Sequence, residues 1–160
     1  MSSSRSIGRI IMNTIRIRPI EVIGNCPAGL TTKDEFEIVG MRLENRKGST
    51  LCFLGVSQFP IGQGIWQLQS NERFFSRVSC PGCTFRADQE NRVVFLLGHA
   101  DKWQLCKLIS EYLALCHNHP EPAAARKTKE DAILLQNQGK YAEAAQKMEK
   151  ALYALKSTLV

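Results

Sequence analysis

The sequence predicts an α+β fold: a small, mostly antiparallel sheet with one packing helix, followed by an antiparallel helical hairpin. Three observations carry that expectation. Residues 14–97 hold short apolar or alternating runs punctuated by Gly, Pro and Asn, the pattern of strands and turns. Over residues 101–117 the apolar spacing changes to three and four, the period of a helix. Beyond Pro122 the composition shifts to Ala, Lys, Glu, Gln and Leu, all strong helix formers.

The elements follow in order. Residues 14–23 alternate as a strand, and Pro19 within them predicts an edge position or a bulge. Gly24 to Gly29 reads as a loop, and Asp34 to Gly40 as a second strand with Phe36 and Ile38 on one face. These two strands form a hairpin whose connection carries Cys26. Residues 44–50 read as a polar loop, with a short helix expected from Leu51 to Gln58 behind a Ser49 or Thr50 cap. Residues 73–79 and 92–97 are further strands, the latter too continuously apolar to be half exposed, with Gly98 as its end. Asp101 is the expected N-cap of a helix to about His117. Its apolar stripe is expected to be Trp103, Cys106, Leu108 or Ile109, Leu113 and Cys116, which makes Cys106 and Cys116 core residues. Pro120 and Pro122 stop it. Helices over 123–137 and 141–157 follow, with Gly139 at the position of a helix-terminating glycine.

Size and charge bound the function. A chain of 160 residues suits one domain plus an appendage: a flexible extension over 1–13, a cysteine-containing body over 14–119 and the helical hairpin over 120–160. The net charge of +6 divides as +3 over residues 1–30, +1 over 31–120 and +2 over 121–160. That concentration at the amino end is too slight to predict a nucleic-acid partner, although Arg73-Phe74-Phe75-Ser76-Arg77 mixes bases with aromatics. No apolar run reaches the roughly 18 residues of a membrane span. The acid-free, Ser- and Arg-rich start has the composition of a presequence without its helical periodicity, and Met12 is a second candidate start. The expected location is cytoplasmic. Gly62-Gln63-Gly64 lacks the rest of a nucleotide fingerprint, and no Gly-x-Ser-x-Gly elbow exists.

Six cysteines in a chain without an export signal point to metal or redox chemistry rather than structural disulfides. Cys80-Pro81-Gly82-Cys83 is the sharpest motif, since two thiolates across a tight turn can grip one soft metal ion. Cys26 and Cys52 are the natural further ligands, giving a zinc or iron site of Cys26, Cys52, Cys80 and Cys83. The same residues admit a redox reading, with Cys80 and Cys83 as a dithiol or Cys52 as a thiol activated in the first turn of a helix. They also admit a reading as small buried hydrophobes. His117 and His119 are expected as polar residues at a helix end, and His99 as a structural histidine with Asp101 nearby.

Two resemblances add to this. The hairpin resembles a single tetratricopeptide repeat through Ala132, Leu135, Gly139, Tyr141, Ala144, Met148, Ala151 and Leu152, but has Thr128, Asp131 and Lys156 where that family has an aromatic, a Leu and a Pro. One repeat cannot bury its face alone, so the hairpin must dock on the body, on a second subunit or on a partner. Residues 14–97 resemble a family of short uncharacterised prokaryotic proteins through Cys26 to Gly29, Asp34 to Phe36, Leu51-Cys52 and Cys80-Pro81. That resemblance implies a compact α+β module and draws attention to Cys26, Cys52 and Cys80. The leading expectation is a non-enzymatic accessory protein that binds zinc or iron through the cysteines and engages a protein partner, or itself, through residues 121–160. The alternatives are a thiol-based enzyme and an interaction module without a site.

Overall fold

A computed structural model describes residues 13–40, 42–47, 68, 74–80, 82 and 91–159. Five strands, β1 (Ile15–Ile23), β2 (Glu35–Val39), β3 (Arg42–Lys47), β4 (Phe75–Ser79) and β5 (Arg92–His99), form one sheet in the order β3-β2-β1-β5-β4. Every pairing is antiparallel. Three helices follow: α1 (Trp103–Asn118), α2 (Ala123–Asn137) and α3 (Tyr141–Lys156). This is the α+β architecture the periodicities predict.

Alternation sorts the sheet into two faces. Ile15, Ile17, Phe36, Ile38, Phe95 and Leu97 line one face and bury together with Leu30 and Leu68. Arg16, Arg18, Glu35 and Glu37 point the other way and pair across strands, Arg16 to Glu37 at 3.3 Å and Arg46 to Glu37 at 2.8 Å. Pro19 occupies a bulge and not an edge. β1 is an inner strand, and its register against β5 shifts between Pro19 and Glu21, which leaves Ile20 as the extra residue.

Three expectations need correction. Residues 44–47 are not a loop but most of β3, an edge strand whose charged side chains are largely exposed. An edge strand that must resist pairing with another chain is built of charges, so its sequence reads as loop. Gly98 does not end β5, which runs on to His99. A Cβ at Gly98 would lie 2.9 Å from Cys106 Sγ, so the glycine marks the close approach of α1 to the sheet. Asp101 is not a helix cap. It lies inside a 3₁₀ turn over Ala100–Lys102, and the capping position Lys102 makes no side-chain capping bond. The Ala100 N–H still donates to the Thr14 carbonyl at 2.9 Å, so the chain turns directly out of the strand ladder. The expected helix over 51–58 lies outside the described residues.

α1 is buried on two sides. Trp103 and Cys106 face the sheet, while Leu105, Leu108 and Tyr112 join a second apolar cluster with α2 and α3. Leu113, expected in the stripe, is half exposed. Two buried sides rotate the helix away from the single stripe read from its spacing. The hairpin closes through Gly139, whose φ of +75° follows the last turn of α2. The Gly139 N–H donates to Gln136 and the Lys140 N–H to Leu135, both at 2.9 Å, the bonding of a Schellman motif. Ala132, Ala144 and Ala151 are buried between the helices, and α3 docks on α1.

Candidate metal centre at one end of the sheet

β1 ends at Ile23 opposite Arg92, and β4 ends at Ser79 opposite Val94. Both strands therefore leave the sheet where β5 begins. The loop after β1 carries Cys26 and the turn after β4 carries Cys80, so topology delivers both to one end. They also share a face, since each packs half-buried against the apolar cluster that contains Val93.

Local bonding fixes the backbone at Cys26 and both the backbone and the thiol at Cys80. The Cys26 carbonyl accepts the Gly29 N–H at 2.9 Å, closing a turn over residues 26–29. The Cys80 N–H donates to the Val93 carbonyl at 2.9 Å, and the Val93 N–H donates to Cys80 Sγ at 3.1 Å. An amide aimed at sulfur is the kind of outer contact that supports a thiolate ligand. Gly82 holds φ of +90°, and a Cβ there would stand 3.0 Å from the Asn91 carbonyl oxygen. The chain two residues beyond Cys80 therefore requires glycine at this point.

Asn91 joins the two loops. Its Oδ1 accepts the Asn25 N–H at 2.8 Å, beside Cys26, while its backbone oxygen lies against Gly82. The sequence places Asn91 in a turn-prone run and gives no sign of this role, because the partners are 66 residues apart, with β2, β3 and β4 between them in the chain.

Of the four expected ligands, Cys26 and Cys80 are thus brought to one end and face of the sheet. Cys52 and Cys83 lie outside the described residues. Among the described residues no three His, Cys, Asp or Glu side chains gather as a metal-binding group, so Cys26 and Cys80 find no third ligand there in His117 or His119. Cys106 belongs to the core: it is fully buried, burial raises its thiol to about 12, and its Sγ faces the Phe74 carbonyl at 3.5 Å. Cys116 packs half-buried against the helical cluster. His99 is buried and stacks on Phe74 with ring centroids 6.0 Å apart.

No family model, curated protein or solved structure matches the chain. The chemistry of this end of the sheet therefore rests on its own residues. Among the described residues no helix is long and apolar enough to cross a membrane.

Proposed function

We propose that the protein binds one zinc or iron ion at the end of the sheet through Cys26, Cys52, Cys80 and Cys83, and that its helical hairpin engages a protein partner or a second copy. The observation that carries the metal reading is Asn91, which hydrogen-bonds the chain beside Cys26 and lies close against Gly82, two residues beyond Cys80. Two thiols sharing a face, one already accepting an amide hydrogen, suit a tetrahedral sulfur site completed by two further cysteines. Such a site is structural or electron-carrying in character, since four protein ligands leave no open coordination position.

Metal analysis of the intact chain purified without added metal tests this reading. About one equivalent of zinc or iron is expected, falling at least about five-fold in Cys80→Ser, and less than about 0.2 equivalents in the unmutated chain overturns it. Free, partly exposed thiols at Cys26 and Cys80 favour the thiol-enzyme reading instead. That reading gains if one of them alkylates rapidly near neutral pH in the metal-free chain. The partner reading is supported by Ile133, Leu134 and Tyr153, large apolar side chains that the hairpin leaves 42, 60 and 76% exposed.

A further inference from the structure

The face that α1 turns to the sheet is unusual. Trp103, Lys107, Ser110, Glu111 and Ala114 recur at helical spacing along it, so the positions that fill the space over a sheet hold two small residues and two charged ones. A cleft of about 640 Å³ remains, walled on the opposite side by Arg18, Pro19, Arg77 and Leu96. That volume lies within the usual range of small-molecule sites. The bulge at Ile20 shapes the same wall.

The polar groups in this cleft have bonding capacity to spare. Ser110 is 5% exposed and has no hydrogen-bond partner among the described residues. Lys107 is exposed and makes no ion pair among the described residues. Arg77 meets Glu21 only at 3.5 Å and Arg18 meets Glu35 only at 3.6 Å, whereas Arg46 and Glu37 close to 2.8 Å elsewhere on the sheet. The Glu111 carboxylate is already held by Lys156 at 2.6 Å. Cations with unspent donors therefore outweigh free carboxylate in the cleft.

We propose that the cleft between α1 and the sheet binds a small organic acid with an apolar body and one anionic group. The body lies along Leu96, Pro19 and Ala114. The anion sits within reach of Lys107, Arg18 and Arg77, and the Ser110 hydroxyl supplies a further hydrogen bond.

The probe that tests this is 8-anilinonaphthalene-1-sulfonate, with N-phenyl-1-naphthylamine as its uncharged analogue, each titrated against the intact chain by fluorescence and calorimetry. One saturable sulfonate site is expected, with the neutral analogue at least about five-fold weaker. Lys107→Glu, at an exposed position, weakens the sulfonate at least about five-fold. Ala114→Phe fills the cleft and weakens it at least about ten-fold, while Lys127→Glu on α2 stays within about two-fold. Equal binding of the two probes, or unchanged sulfonate affinity in both Lys107→Glu and Ala114→Phe, overturns the proposal.

Discussion

Single atoms decide how closely the layers approach. At Gly98 an added methyl group would stand 2.9 Å from Cys106 Sγ and 3.6 Å from the Trp103 ring. Gly98→Ala is expected to cost about 1–3 kcal/mol by overpacking. Cys106→Ala in the same chain should recover part of that loss, and urea unfolding of the two single variants and the double variant measures the coupling. A second decisive residue is Glu121. Its carboxylate accepts from Lys129 Nζ at 2.5 Å and from Tyr112 Oη and Arg126 Nε, each at 2.9 Å, joining α1 to α2 across the Pro120–Pro122 link. The Lys129 ammonium leads the Tyr112 and Arg126 hydrogen bonds in holding the Glu121 carboxyl down at about 2, against an ordinary 4.5. A carboxyl depressed on folding stabilises the fold fully above its unfolded value and loses that contribution as pH falls from about 4.5 towards 2. Glu121→Gln should therefore lose at most about 1 kcal/mol at neutral pH, with solvent screening the Arg126 side. Its thermal midpoint should also fall less steeply than that of the unmutated chain between about pH 5 and pH 2.5, by calorimetry across that window. Neither residue is conspicuous in the sequence. Gly98 reads as a strand end and Glu121 as one acid between two prolines, because a contact partner cannot be inferred from a residue's own neighbours.

Elements were legible where one period held and one environment repeated. β1, β2, β5 and all three helices follow their spacing, and Gly139 stands where the end of α2 requires a left-handed residue. Gly139→Ala forces φ of +75° on a residue with a Cβ and should cost about 1 kcal/mol, although a Cβ there meets no atom within 4 Å. The loss would come from backbone strain alone, so Gly139→Asn should be milder than Gly139→Ala in thermal unfolding. β3 was not legible, because its role as a charged edge suppresses the apolar alternation that announces a strand. The single stripe expected for α1 was only half right: the helix is buried on two sides, and Leu113 falls between them. The candidate metal centre was legible as a list of cysteines but not as a place. The antiparallel order puts Cys26 and Cys80 on either side of the start of β5, and no local pattern encodes strand order.

At the scale of the molecule, α1 is the joint between two apolar clusters. On one side Gly98 admits Cys106 against the sheet; on the other Leu105, Leu108 and Tyr112 pack with Met148, Leu152 and Leu155 of α3. The hairpin therefore covers one side of α1, and cutting it away would expose Leu105, Leu108 and Tyr112. A two-helix hairpin too small to bury its own apolar face has found that burial here, on a helix that is also tied to the sheet. This arrangement predicts a shared fate. Leu152→Ala, at a position 5% exposed in the hairpin, should cost about 2–5 kcal/mol through the lost side chain and the cavity left behind. Native-state hydrogen exchange followed by residue distinguishes the outcomes: protection in β1 and β5 should fall together with protection in α3, as one cooperative unit. If α2 and α3 lose protection while the strands keep theirs, α1 transmits nothing, and the hairpin is a separate folding unit resting on the sheet.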